Sequence, residues 1–368
     1  MTNKFLTPDI IAREALMVLR NNAVMSNLVY RDYSSEFVGA VGDTITVRKP
    51  AKFDAKEYKG SIEVQNATED GVPITMDKHL DVSFSVTSKD LTLEIEDFSK
   101  QLLVPAMQAF ADKIDKYLLD LQADVANRKI ATGKVWQNEI VDTRKYLTEN
   151  AVPLTDRRFV FGAEREADFL KTDLFISADK VGDTGTALRE ASLGRKFGLE
   201  FYTDQNVEEK SMVSNLNTKE SITTKAQGNP KDTTLTIGAT TLTGTLKKGT
   251  VLEIAGNNYT VASDVEAGSN QIVVPLVKPL DKVVKNSTAV KIIDTYTPSI
   301  MFHKNAFALV TRPLALPQGA AKSAIVNYDG FGLRVVQGYD LNTKTDTISI
   351  DMLCGVKTLD SNLAAVLM

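Results

Sequence analysis

Cysteine is almost missing from this sequence: Cys354 stands alone, so no internal disulfide can form and packing must hold the fold. Histidine is nearly as scarce. His79 and His303 are too few for a His-rich zinc or hydrolytic centre, although a carboxylate metal site would need neither. No stretch approaches the roughly 18 uncharged apolar residues of a membrane span. The first turns carry Asp9, Arg13, Glu14 and Arg20 inside an apolar pattern, without the hydrophobic core and cleavage site of a signal peptide. A chain made and used in soluble form is expected. An excess of one charge is lacking too. The 43 Lys and Arg against 47 Asp and Glu give a net charge of -4, which argues against wrapping nucleic acid through a strongly basic surface but leaves room for local basic contacts. No H-E-x-x-H, G-x-S-x-G, Walker A, C-x-x-C or EF-hand pattern occurs, so no enzyme, cofactor or metal site is expected.

What is present is an ordinary globular composition, 43% apolar and 24% charged over 368 residues. That disfavours wholesale disorder, a collagen-like repeat and a single long coiled coil. Two or three domains fit the length, and a compact monomer of this size would bury roughly three quarters of its unfolded surface.

Residues 7 to 20 open with Thr7 and Pro8, a cap and a first helical position, and place Ile11, Ala15, Leu16 and Leu19 on one side. This is an amphipathic helix, and the following VMSNLVYRDY at 24 to 33 suits either an arm lying on another surface or a helix and loop on the chain's own core. Alternation at Ile45 and Val47 predicts a strand closed by Pro50. After a charged, turn-rich stretch from 51 to about 78, alternation resumes at Leu80, Val82, Phe84 and Val86 and again at Leu91, Leu93 and Ile95. The simplest structure is a long two-stranded excursion, too polar to stand without a supporting neighbour.

The strongest helical pattern follows, with Leu103, Met107, Phe110, Ile114, Leu118, Leu121 and Val125 at spacings of three and four. It predicts a helix from Ala106 to Lys129 with Pro105 in its first turn, packed on one side. From 130 to 206 short strand and helix patterns alternate, RRFVFG and GLEFYTDQNV reading as strands, EREADFLKTD and TALREAS as helices. From about 208 to 298 Thr, Val, Gly, Asn and Ser dominate. Strand cues recur at TTLTIG, GTVLEIAG, NYTVAS, NQIVVPLV and TAVKIID, the pattern of a small inserted all-β barrel or sandwich. The tail reads as a hairpin of FGLRVVQGYD and TISIDMLCGVKTLD, with Cys354 in the apolar register as a buried structural thiol rather than a nucleophile.

Few residues stand out as chemistry. Gly182, Asp183, Thr184 and Gly185 lack the Lys-Ser/Thr of a phosphate loop and read as a surface turn. Glu94, Glu96 and Asp97 precede the long helix, where its dipole is a sufficient reason for three carboxylates, with a divalent ion the alternative. The pairs Arg48-Lys49, Arg157-Arg158 and Arg195-Lys196 are each a solvated face or half of an intersubunit salt bridge. Arg31, Asp32 and Arg48 flank the arm and the excursion and are candidate interface residues.

Taken together, IIAREALMVLRNN, LVYRDYSSEF, VGDTITVRKP, DKHLDVSFSV, SKDLTLEIEDFS, LLVPAMQAFADKIDKYLLDL and HKNAFALVTRPLALPQGA resemble the major capsid proteins of tailed bacteriophages of the P22-like group. The resemblance covers roughly 8 to 206 and 299 to 360; the segment from 208 to 298 matches in position and all-β character. It implies an α+β HK97-like capsid fold. Residues 1–35 would form the N-terminal arm, 36–97 the extended E-loop with flanking strands, and 98–135 the spine helix of the peripheral domain. The axial domain would take 136–207 and 299–332, the inserted β domain 208–298, and 333–368 a C-terminal hairpin returning to the peripheral domain.

The implied function is a non-enzymatic shell, first a procapsid and then an expanded mature icosahedral capsid. Its implied partners are further copies in hexamers and pentamers, a scaffolding protein, a portal protein at one vertex, non-specifically contacted double-stranded DNA and, where one is present, a decoration protein, with no membrane. The implied location is the virion, after assembly in the host bacterial cytoplasm. Lys52, Lys56 and Lys59 lie in the loop that some relatives of this fold crosslink to an Asn; the P22-like group does not, and solvated lysines are expected. An encapsulin-like nanocompartment shell or a phage tail or adhesin protein are the alternatives.

Overall fold

The computed structural model describes residues 8–31, 44–48, 71–87, 99–131, 135–177, 191–212, 216, 221–317, 322–328, 331–340 and 345–368. By internal contacts the chain forms two units, one of Met1–Ala23, Arg31–Ala111 and Ala308–Leu359, the other of Val24–Tyr30, Asp112–Phe307 and Asp360–Met368.

The first unit is built on a long antiparallel sheet. Its central strand Thr345–Thr358 pairs on one side with Lys78–Thr87, Thr345 opposite Thr87 and Cys354 opposite Lys78. On the other side it pairs with Phe331–Asp340, which in turn pairs with the edge strand Lys322–Tyr328. The period-two pattern read at Leu80, Val82 and Phe84 holds: these are half-buried, and Asp81, Ser83 and Ser85 are exposed. The two-stranded excursion, however, is not one hairpin. Thr44–Arg48 pairs with Gly71–Thr75, while Lys78–Thr87 leaves that hairpin to join the C-terminal sheet. Val47, Ile74 and Met76 are buried with Ala308, Val310, Leu353 and Leu359, so the base of the hairpin has its own chain as support.

The helix Pro8–Asn22 buries Ile11, Ala12, Ala15, Leu16 and Leu19. It packs across Lys322–Tyr328 and Phe331–Asp340.

The helical pattern after residue 98 becomes a π turn, Ser99–Leu103, and an α-helix, Val104–Asp120, with Pro105 in its first turn where no amide hydrogen is needed. It tightens to a 3-10 turn, Leu121–Asp124, and ends there. The expectation of helix to Lys129 fails because Asn127–Lys129 turns extended and adds in parallel to the strand Ala364–Leu367, a sheet pairing that local periodicity does not contain.

That pairing starts the second unit's sheet, ordered Asn127–Lys129, Ala364–Leu367, Ser299–His303, Arg157–Phe161, Leu199–Thr203 and Arg195–Lys196. Phe159, Phe161, Phe169, Phe175 and Phe201 cluster on it, Phe159 and Phe201 edge to face at 5.2 Å, beneath Ile140 and Leu147 of the helix Trp136–Glu149. Within 208 to 298 all five strand cues become strands: Thr234–Gly238, Val251–Ile254, Asn257–Thr260, Gln271–Pro275 and Val290–Ile293. The segment has an apolar core of its own, including Leu235, Ile237, Leu252, Ile254, Tyr259, Ile272 and Val274. Ala255 and Gly256 turn one of its hairpins with φ of 49° and 74°, the two left-handed positions that a two-residue turn between twisted strands requires.

Candidate assembly surfaces and buried polar junctions

Among the described residues no group of three or more His, Cys, Asp or Glu could hold a metal ion, and no helix is long and apolar enough to cross a membrane. Two buried polar side chains, Asp115 and Arg128, join segments of the chain to one another within the second unit.

The first junction is built on Asp115, on the long helix and only 1% exposed. Its Oδ2 accepts from the Val24 amide at 2.9 Å and its Oδ1 from the Ser26 amide at 3.1 Å. The carboxylate thus caps the short helix Met25–Leu28 from 89 residues away. Burial, then the nearby Asp204 carboxylate, pushes its pKa up from 3.8 to about 7, against the opposing pull of the Val24, Ser26 and Met25 amides. Asp204 is itself buried. Its Oδ1 accepts from the Asn206 amide at 2.8 Å, and burial pushes its pKa up, with Asn206 opposing and Asp112 adding to the rise. Arg158 donates to the Leu28 carbonyl, and the Tyr30 amide bonds the Phe307 carbonyl at 3.1 Å, so residues 24–30 are tied down along their length.

The second junction centres on Arg128, fully buried where the long helix gives way to the sheet. Its Nε donates to the Val125 carbonyl at 3.2 Å and its terminal nitrogens to the Gln122 carbonyl at 2.6 Å and the Tyr296 hydroxyl at 2.8 Å. Burial lowers its pKa, and Tyr296 opposes that shift. The Tyr296 hydroxyl lies 2.9 Å from the Gly249 carbonyl, and Thr260 and Asn258 donate to the Val125 and Arg128 carbonyls, each at 3.3 Å. The β-rich segment is thereby joined to the end of the helix by a buried, directional network. Lys210–Asp120 at 2.8 Å and Lys116–Glu208 at 2.8 Å add exposed ion pairs around it.

Several sequence-predicted residues fall elsewhere. Arg31 sets its guanidinium 4.9 Å from the Phe331 ring centroid and so engages its own chain. Asp32 lies outside the described residues, and Arg48 is described only through its backbone pairing with Gly71. Arg157-Arg158 is not a solvated face: Arg157 is buried and Arg158 half-buried. Arg157 is 2% exposed and donates to the Pro153 and Val152 carbonyls, because the pair sits in a central strand of the second sheet. Arg195 is exposed, whereas Lys196 bonds the Leu193 carbonyl at 2.5 Å. Lys49, Lys52, Lys56, Lys59, Glu94, Glu96, Asp97 and the Gly182 to Gly185 turn all lie outside the described residues.

His303 accepts the Asn305 amide on Nδ1 at 3.2 Å, and burial lowers its pKa, which suits a neutral ring capping a turn. His79 is exposed, 3.7 Å from Asp351, whose carboxylate is gripped at both oxygens by Arg334. Cys354 is fully buried, and burial pushes its thiol up to about 12.

Reading the long helix as one apolar stripe with charges elsewhere missed Asp115. The signal was there: Ala111 and Leu119 stand four residues to either side of it, a second apolar row that a carboxylate interrupts. Arg128 had no such signal.

No protein-family model and no curated protein matches this sequence. Solved structures do match. One from Mycobacterium phage Che8 aligns over 94% of this chain and 90% of its own, with a TM-score of 0.51 and 15% identity. A structure described as the capsid of the cyanophage P-SCSP1u aligns over 90% and 84%, with a TM-score of 0.46 and 11% identity. A virus-like particle from Pyrococcus furiosus aligns over 97% of both chains, with a TM-score of 0.42 and 10% identity. At these identities the likeness is one of fold, and the Che8 structure carries it across nearly the whole chain. The long sheet with its amino-terminal helix, the strand pair Thr44–Arg48 and Gly71–Thr75, the long helix and the second mixed sheet make this an α+β chain that shares its fold with the Che8 phage structure.

Proposed function

We propose that this protein is a major capsid protein that self-assembles into an icosahedral phage head, first a procapsid and then an expanded mature shell around double-stranded DNA. The observation that carries the reading is the fold, matched over 94% of the chain by a phage structure. In this reading 1–35 is the arm, 36–97 the E-loop region, 98–135 the spine, 136–207 and 299–332 the axial domain, 208–298 the insertion domain and 333–368 the returning hairpin. The apolar core confined to 222 to 290 supports treating the insertion as a folding unit. Copies would meet as hexamers and pentamers, with a scaffolding protein inside, a portal at one vertex and, where present, a decoration protein outside. Assembly would take place in the host cytoplasm.

The role is architectural. The buried Asp115 and Arg128 hold segments of chain together, and the one thiol is shielded from solvent. Electron microscopy of the protein expressed with and without a co-expressed scaffolding protein tests this directly. Closed shells of uniform diameter are expected in the first case; monomers under both conditions count against the proposal.

A further inference from the structure

The β-rich segment contains no arginine: all ten of its basic residues between 208 and 298 are lysines, set against nine acidic ones. The lysines are not spread evenly. Two antiparallel stretches, 225–231 and 280–287, are zipped together by the Gly228–Val284 bridge, the Lys231 amide on the Leu280 carbonyl and the Ser287 amide on the Thr224 carbonyl. Lys225, Lys231, Lys282 and Lys285 all lie on these two paired stretches, and all are exposed.

The acids nearby are engaged. Asp232 accepts the Asn229 amide at 2.7 Å, and Asp281 pairs with Lys278 at 3.0 Å. Among the described residues the four lysines form no ion pair, although Lys210, Lys247, Lys248, Lys278 and Lys291 of the same segment all do. Val283 stands between Lys282 and the buried Val284 and is 52% exposed, one of the few large apolar side chains left open on this segment.

We propose that these paired lysine-bearing stretches are a docking surface for an acidic protein segment, with Val283 as their apolar contact. Two features favour a protein over a nucleic acid. The stretches offer no arginine fork for bidentate phosphate or base contacts, and no aromatic platform on which bases could stack. Lysines around a single open aliphatic side chain match a small apolar centre with a charged rim, in which the charges steer encounter and the apolar contact slows release. Among the described residues none of the four cations is held in an ion pair, so an incoming carboxylate breaks no such pair there.

The test uses the full-length, unassembled chain, so its outcome does not depend on whether the protein forms shells. A fluorescent peptide of alternating Glu and Leu is titrated at low and moderate salt, beside duplex DNA of matched charge. The expected result is peptide binding that weakens with salt, falls roughly tenfold or more in the K225Q/K231Q/K282Q/K285Q variant, and falls severalfold in V283S. K247Q/K248Q, which removes lysines already paired elsewhere on the segment, should bind like wild type. An unchanged affinity in the quadruple variant, an equal loss in K247Q/K248Q, or tighter binding of the DNA than of the peptide would each overturn the proposal. All four substituted side chains are exposed, and a circular dichroism melt matching wild type verifies that the fold is kept.

Discussion

Asp115 couples a cap to a titration. Its carboxylate is held by two backbone amides, yet burial and Asp204 make the charged form costly, and its folded pKa of about 7 lies well above the usual 3.8. The folded state therefore binds a proton that the unfolded state has released, and the stability this group contributes is present at low pH and lost as pH rises from about 4 through 7. An asparagine in its place would resemble the protonated acid, with one oxygen still able to accept an amide. Wild type should lose melting temperature between pH 5 and pH 8, and Asp115→Asn should flatten that fall and match or exceed wild type at the upper end. Asp115→Ala should melt lower at every pH, because the Val24 and Ser26 amides lose their acceptor. A wild-type and Asp115→Asn pair with parallel pH profiles would sink this account. Cys354 gives a simpler prediction at the same scale. With its thiol buried and pushed up to about 12, iodoacetamide at pH 8 should leave it unmodified in the native protein and label it fully in denaturant, as read by mass spectrometry.

At the scale of elements, the sequence was most legible where burial follows a local period. The helix Pro8–Asn22, the alternation from Leu80 to Phe84, the five strands of the β-rich segment and the terminal hairpin are all local patterns, and each was found. What stayed hidden depends on partners distant in sequence. Val125 to Lys129 continue a helical period, but Ala364–Leu367 offers the backbone a parallel ladder and Arg128 a buried seat. Ala364–Leu367 is only four residues long and falls past the hairpin that ends at Thr358, so nothing local marks it as part of a sheet. The Arg128 junction follows from that pairing. Replacing Arg128 by Ala takes one donor each from two buried carbonyls and the Tyr296 hydroxyl and empties the buried space of its side chain, and should lower unfolding stability by roughly 3 kcal/mol in a urea titration. Tyr296→Phe, which removes one hydroxyl, should cost about 1–2 kcal/mol. Gly355 shows the same dependence in the first unit. A Cβ there would stand 2.6 Å from the Thr75 carbonyl oxygen, where the hairpin strand crosses the central strand closely. Gly355→Ala should therefore destabilise by about 1–3 kcal/mol.

For the whole molecule, near-balanced charge takes on a meaning that a single chain does not reveal. A net charge of -4 is unremarkable for one copy of 368 residues. If many copies form one closed surface, as proposed, their charges add while the distance between neighbours stays short, and unscreened repulsion opposes closure. Salt shortens the range of that repulsion to about 10 Å at 0.1 M. Assembly of the purified chain, followed by light scattering, should therefore be faster and reach a greater extent at moderate than at low ionic strength. The lysine-bearing stretches of the β-rich segment must respond in the opposite direction, since their attraction to an acidic peptide is screened by the same ions. The two responses separate two scales of electrostatics in one protein. Repulsion summed over whole copies is relieved by salt, and attraction at Lys225, Lys231, Lys282 and Lys285 is weakened by it. Assembly that slowed as salt was raised would mean that specific attractive charge pairs between copies, rather than net charge, govern closure. In that case the balance of 43 basic and 47 acidic residues would reflect complementary patches rather than a weakly self-repelling container.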